Sequence, residues 1–516
     1  VVVSEVAKNN SGKKKVLASV LAALAVVGAG AAGTPVQAAT DYNKKVNISP
    51  TGTMAGGYSA NNSVSDNSIV VGYGNDTSTG AQGNGHVAYG FGNTSTEDTS
   101  TALGGGNKAT GPASTAVGSF NEATARAAIA MGNVSKATGE RSVAIGSGAE
   151  ATKSGTIAIG RKSQATEGQA VAIGEDTEAS GPSSVAVGYK NQSTKSVAVG
   201  FGVNNKVYGE KSTAVGSSNT IAANANEATV IGRTNQVNRA GSFVGGFSNV
   251  TNGERNVAVG SENTTTGEDS IGIGTKVIAG TGKTIAIGSV ASNDGTTLQT
   301  IARGNDTINA ATGQVNNIFA LAIGNGAQAD GKAKSASGMI AIGQEVLADN
   351  NNTVAIGVKT KATGNNGLAV GSYTQALGVS SAAFGTQAIA NGTGATAFGP
   401  GASAGTDTVG ANGSVAVGRK AAVTAEGGVG IGWTASASEK NATAIGFSAT
   451  ASGVQSVAIG GGDAYDYPGT ERGKNFTTAS GESSVAVGSY AKATEANAMA
   501  FGKNANANIA DGVALG

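Results

Sequence analysis

The feature that most constrains this chain is that it counts in fourteens. The segment Ser142 to Gly155, SVAIGSGAEATKSG, is typical of a pattern in which an apolar residue or Thr, a small residue, an apolar residue and Gly follow one another. Twenty-nine copies occur between Gly72 and Gly516, and 18 of the 28 spacings between their glycines are 14 residues. A period this short signals a solenoid with one coil per repeat. Two helical heptads would also give fourteen, but Gly and β-branched residues at fixed places oppose a helix, while the Val-Ala-Ile alternation suits a strand. Each unit therefore reads as two short strands and two corners: Ser142 to Ile145, a turn at Gly146 to Gly148, a return over Ala149 to Thr152, and a second turn at Lys153 to Gly155.

Alternation assigns the two faces of the first strand. Val143 and Ile145 share one face, and the large apolar residues are expected inside, so the coil core is predicted at Val143, Ile145, Ile157, Ile159, Val171 and Ile173. Burying one Val and one Ile yields roughly 3 to 6 kcal/mol, against about 1 kcal/mol or more per residue for ordering fourteen residues. One coil cannot fold alone, so stability has to come from the ladder between coils. At about 4.8 Å per coil, twenty-nine coils would make a rod on the order of 140 Å long.

The middle residue of the motif falls on the other face, and 24 of 29 copies have Ala there, with Val70, Val230, Phe243, Gly272 and Gly430 among the departures. A solvated face would drift toward charged residues, as Glu150 and Lys153 do on the second strand and corner. An exposed apolar stripe on a rod suits self-association about an axis. Ala130, Ala144, Ala158, Ala172 and Ala186 are accordingly expected at an interface between copies; the alternative is that Ala marks a tight corner inside a single-chain helix.

Composition narrows the chemistry. Gly makes up 83 of 516 residues, about twice ordinary usage, yet Pro is only 6 and no G-X-Y period exists, which excludes collagen. Aromatics at 4% leave no large conventional core, and a formal charge of +1 gives no steering toward nucleic acid or anionic lipid. There is no Cys, so disulfides, thiolate metal sites and Cys nucleophiles are excluded. The single His, His86, lacks visible partners for a triad or zinc site and reads as a turn residue. The glycines are accounted for by corners with positive φ, and no G-x-x-x-x-G-K-[ST] loop is present. No enzyme activity, cofactor or metal site is expected. GGGD at Gly460 to Asp463 has a calcium β-roll flavour, but its nonapeptide does not repeat.

Lys13, Lys14 and Lys15 precede the uncharged stretch Val16 to Gly33, followed by Pro35 and the small residues Val36 and Ala38. This is a signal-peptide pattern over residues 1–39, with cleavage expected after Ala38 or Ala39; an uncleaved membrane anchor is the alternative. Residues 40–68 are expected to form an N-terminal cap and residues 69–516 the repeats. The segment VVVSEVAKNNSGKKK resembles the tail of the extended signal peptide of large Gram-negative autotransporters, so the chain is expected to begin inside a longer leader.

Repeats such as SVAIGSGAEATKSG, TIAIGRKSQATEG and SVAVGSYAKATEA resemble the head repeats of trimeric autotransporter adhesins of the YadA type, over nearly all of residues 69 to 516. The resemblance implies an all-β fold, a left-handed parallel β-roll of about 14-residue coils assembled as a parallel homotrimer. It implies export through a cleaved signal peptide to the bacterial outer-membrane surface, and binding of host matrix, a host cell-surface receptor or a partner bacterium. It also implies that the first strand of each coil faces the threefold axis. Relatives continue into a neck, a coiled-coil stalk and a membrane barrel, so this chain is expected to be the N-terminal piece of a longer protein.

Insertions in a solenoid become surface loops, which are common contact sites. Three are expected, at 289–317, 330–338 and 461–479, the first with enough Ile, Leu and Thr to add short strands. In the third, Tyr465, Tyr467, Arg472 and Phe476 concentrate aromatic and Arg contact residues and are the candidate ligand-contact set. Tyr189, Phe201, Tyr373, Trp433, Phe447 and Tyr490 lie at or near the corner after the repeat Gly and either touch ligand or fill gaps between chains. A multivalent adhesin is the leading functional expectation. The alternatives are a structural spacer and a polysaccharide-acting β-helix, the latter disfavoured by the absence of clustered carboxylates and bases at corresponding positions.

Overall fold

The computed structural model describes strands 45–48 and 54–57 and residues 68–77, 85–280, 283–293, 296–303, 319–331, 338–406, 410–462 and 476–516. The protein is an all-β parallel solenoid of about 28 turns with coils of about 14 residues, without a helix among the described residues. It divides into two compact units, residues 1–207 and 208–516. Residues 1–39, the segment expected to be a signal peptide, lie outside the described residues.

In the first unit, the coil of the typical repeat has a first strand Val143–Ser147 and a second strand Glu150–Ala151. The first strand pairs in parallel with Ile129–Asn133 on one side and Ile157–Ile159 on the other, so that Ala144 lies between Ala130 and Ala158. The second strand pairs in the same way with Lys136–Ala137 and Gln164–Ala165. At the start of the unit, Lys45–Ile48 runs antiparallel to Met54–Gly57, whose first three residues pair in parallel with Ile69, Val70 and Val71.

The two faces are the reverse of the sequence expectation. Ala130, Ala144, Ala158, Ala172 and Ala186 are completely buried within the single chain, and so are Ala137, Ala151 and Ala165 of the second strands. Val143, Ile145, Ile157, Ile159 and Val171 are half-buried, and Ile173 is exposed. The reason is the size of the coil. Two strands separated by corners of a few residues leave an interior one small side chain deep on each side, which Ala fills and Val plus Ile would overfill. The alanines form the core; the large residues point out.

The interior adjusts where this rule is relaxed. A Cβ on Gly200 would lie 3.5 Å from Val207 Cγ2, one on Gly272 only 2.9 Å from Thr265 Cγ2, and one on Gly430 3.0 Å from Val423 Cγ2. Gly faces the larger residue across the coil. Register also restores the period: Gly188 pairs with Gly202, and Gly232 and Gly260 both pair with Gly246, so the repeat glycines are Gly202 and Gly246 rather than Gly200 and Gly245. The inward residue of the latter coil is then Val244, and Phe243 points outward, 42% exposed.

A second inward column lies just before each second strand, and much of it is Asn. Asn75, Asn93, Asn107 and Asn121 are buried in consecutive coils. Asn121 donates through Nδ2 to Asn107 Oδ1 at 2.8 Å, to Val117 O at 2.9 Å and to the repeat-glycine carbonyl Gly132 O at 2.8 Å. Its backbone N–H also donates to Asn107 Oδ1. The ladder ties each corner to the next coil and satisfies buried polar groups that would otherwise be costly.

The second unit repeats this plan. Asn219, Asn235, Asn249 and Asn263 form a second ladder, which ends where Val277 N donates to Asn263 Oδ1. Farther on, Thr takes the place of Asn: Thr300, Thr360 and Thr477 donate through Oγ1 to Gly324, Gly371 and Gly488, the glycine carbonyls of their own next coils. The first insertion adds strands as expected. Ala291–Asn293 and Thr296–Leu298 form an antiparallel pair, and Ile301–Arg303 joins the second-strand ladder between Ile278–Ala279 and Gln328–Asp330. Residues 304–318 and 332–337 lie outside the described residues.

Candidate binding surfaces

Two surfaces remain once the alanines are inside. The first is the outward side of the first strands. Across many coils it carries Val, Ile, Leu, Phe or Met, with Ile173 37%, Phe201 41%, Ile231 49% and Phe398 56% exposed. Phe201 belongs here rather than at the corner, because it pairs with Val187 on this face. Phe384 and Phe398 on adjacent strands lie 5.8 Å apart. This face is largely apolar within each unit, with Thr at one of its two outward positions in some coils, such as Thr115, Thr213 and Thr396, and Gly245 at the other in one.

The second is the outward side of the second strands and their corners, which is polar. Charges there are paired between coils fourteen residues apart: Lys108 with Glu122 at 3.2 Å and Lys136 with Glu150 at 3.8 Å, while Arg161 pairs with Glu175 beside the repeat glycines. At the other corner Arg255 Nε lies 2.6 Å from Asp269 Oδ1. The Asp269 hydrogen bond and charge raise the Arg255 guanidinium, and the same hydrogen bond holds the Asp269 carboxyl below the usual carboxylate range. These groups are solvent-exposed, so the pairs fix surface pattern more than stability.

Of the candidate contact set, Tyr465, Tyr467 and Arg472 lie outside the described residues, as does Asp463. Phe476 is half-buried and packs edge-on against Phe447, with ring centroids 5.9 Å apart. Phe447 in turn meets Trp433 at 5.2 Å, and Arg419 lies over the Trp433 ring at 5.2 Å. The corner residues thus stack on one another from coil to coil, as Tyr73 and Phe91 do at 5.6 Å.

His86 is not a turn residue on the surface. It is buried in the inward column that precedes the first strand, where the next coil has Ser100, and its Nδ1 lies 3.2 Å from Ser100 Oγ. That partnership accounts for it structurally. Among the described residues no group of three or more His, Asp or Glu could hold a metal ion.

Sequence reasoning missed the apolar outer face because it placed large residues inside. The available signal was size: the four buried positions of the typical coil are Ser142, Ala144, Ala149 and Ala151, all small.

The family model for the YadA head domain repeat (2 copies) matches ten segments: residues 95–121, 123–149, 151–177, 165–191, 194–219, 348–374, 376–402, 437–462, 479–505 and 493–516. No curated protein matches the chain.

Proposed function

Because the chain belongs to the YadA-like heads of trimeric autotransporter adhesins, we propose that it works as a homotrimer in which the outward Val and Ile face of the first strands packs against two other copies. The observation that carries this is the closure of the coil interior by Ala130, Ala144 and Ala158, which leaves Val143 and Ile145 unneeded inside and half-exposed outside. Covering two such side chains per coil contributes about 1 kcal/mol or more, repeated at every coil. A monomer has no other use for so long an apolar face.

In this reading the chain is exported through the signal peptide in residues 1–39 and displayed at the outer-membrane surface. The polar second-strand faces point outward and repeat every coil. They meet host matrix, host cells or other bacteria through many weak contacts whose avidity replaces a deep pocket. The surface chemistry is that of recognition, with no catalytic role assigned. The test is binding of the purified protein to matrix proteins, host cells and partner bacteria, immobilised side by side. Saturable binding to at least one supports adhesion, and binding to none would leave a surface spacer.

A further inference from the structure

Resting on the adhesin reading, we propose that a groove in the second unit, formed by Glu345, Lys359, Lys361, Tyr373 and Gln375, binds an acidic sugar unit of a glycan. The sugar ring is carried by Tyr373 and its anionic group by Lys361.

Three consecutive coils build one wall. Glu345, Lys359 and Tyr373 each stand two residues past a repeat glycine in the left-handed conformation, with φ of 53°, 51° and 56°. The other wall comes from the second strands Lys361–Ala362 and Gln375–Ala376, whose alanines point into the coil while Lys361 and Gln375 point out. The cavity between the walls is about 320 Å³, at the lower end of the range for ligand clefts and suited to a ring-sized group rather than a protein segment.

The charges in the groove are unevenly spent. Glu345, with only 9% of its side chain exposed, is neutralised by Lys359, whose Nζ is 3.6 Å from Glu345 Oε2 and 5.8 Å from the Tyr373 ring centre. Lys361 has no such partner among the described residues. In the first unit a Lys on this strand meets a Glu in the next coil, but Lys361 is flanked by Leu347 and Gln375. The groove therefore offers one unneutralised ammonium, an amide that can both donate and accept, and a Tyr ring 49% exposed. A pyranose presents C–H bonds to the negative face of such a ring and hydroxyls to the amide. A carboxylate or sulfate on that sugar supplies the charge that Lys361 lacks. A cation is a poor fit, because the single carboxylate already has its lysine.

The experiment measures binding of the purified protein to sialyllactose, a heparin hexasaccharide and lactose. Binding of one or both acidic probes over lactose is expected, with affinity falling roughly tenfold in Lys361→Gln and in Tyr373→Ala. Lys276→Gln, at a left-handed corner lysine that pairs with Glu262 elsewhere in the unit, should leave it unchanged. Preference for sialyllactose assigns a carboxylate ligand, and preference for heparin a sulfate. Equal binding by the two groove variants and the parent, no preference for acidic probes, or no glycan binding at all overturns the site. Adhesion of the same parent protein to cells or matrix would then still uphold the adhesin reading. Both groove side chains point outward, so unchanged melting curves separate loss of ligand from loss of fold.

Discussion

Gly146 lies so close to Gly160 of the next coil that a Cβ on Gly146 would stand 2.3 Å from the Gly160 carbonyl oxygen. Its φ of 138° is also one that L side chains rarely adopt. The relationship recurs up the coils, with 2.2 Å from Gly160 to Gly174 O and 2.0 Å from Gly118 to Gly132 O. The repeat glycine is thus demanded twice, by its own backbone and by the coil stacked on it, and stacking is what makes the period so regular.

The two demands can be separated by substitution. Gly146→Ala meets both and should cost roughly 3 kcal/mol or more, seen as a clear drop in melting temperature. Gly148 has φ 66° but open space around it, the nearest atom being Lys162 Cγ at 3.8 Å, and the neighbouring coils place Val134 and Lys162 at the same point. Gly148→Ala should cost only about 1 kcal/mol. Equal costs would mean that conformation alone, and not stacking, requires the glycine.

The Asn ladder gives a second prediction. Asn121→Ala removes the donor to Gly132 O and the acceptor used by Ser135 N–H, leaving buried groups unpaired. A loss of about 2 to 4 kcal/mol is expected. Asn121→Thr should be milder, because Thr360 and Thr477 already donate to the equivalent carbonyls. Chemical denaturation of the two variants checks the order; if Thr is as damaging as Ala, the glycine carbonyl bond is not what the ladder supplies.

Much of the fold was legible because one spacing governs it: a strand ending in Gly every fourteen residues specifies parallel stacking and corners without knowledge of the interior. Which side of the strand faces inward was not legible by the usual rule that large apolar residues are buried. Ile145 and Ala144 alternate equally well on either face, and only the thinness of the coil decides between them. The groove at Tyr373 was partly visible as an aromatic at a corner. Its relation to Lys361 depends on which residues of neighbouring coils come into line, and that follows from register. Phe201 shows the same limit, since Gly200 and Gly202 both fit the motif and pairing with Gly188 selects Gly202.

Asp269 carries a pH dependence. Its carboxyl is held below the usual range by the Arg255 hydrogen bond, so the folded state favours the ionised form. The resulting stabilisation is fully present above the unfolded carboxylate value of about 3.9 and is lost as pH falls through the lower folded value. Asp269→Asn should therefore lower the melting temperature slightly at pH 6, and the difference should shrink as pH falls below the usual carboxylate range. The difference at pH 6 should also shrink in 1 M salt, since the pair is exposed. A salt-independent difference that persists at low pH would contradict this origin.

The reversal of the two strand faces makes the assembly testable with opposite outcomes at adjacent residues. Ile145 and Ile159 are half-exposed on neighbouring coils and pair in register. Asp at both positions adds charge to a face that the single chain does not need to bury, so the coils should keep their β-sheet circular dichroism. In a trimer the same carboxylates would be buried without partners, which is strongly unfavourable. Sedimentation should show the double variant shifting from trimer to monomer. Ala144, the residue before Ile145 on the same strand, has zero exposure, and Ala144→Leu inserts three carbons into an interior with no room for them. Overpacking of that kind typically costs 1 to 3 kcal/mol, and the expected result is a lower melting temperature before any change in association. If instead the Asp variant remains trimeric, the Val and Ile face is not the contact between copies. If Ala144→Leu dissociates the trimer while melting normally, the alanines are at the interface after all.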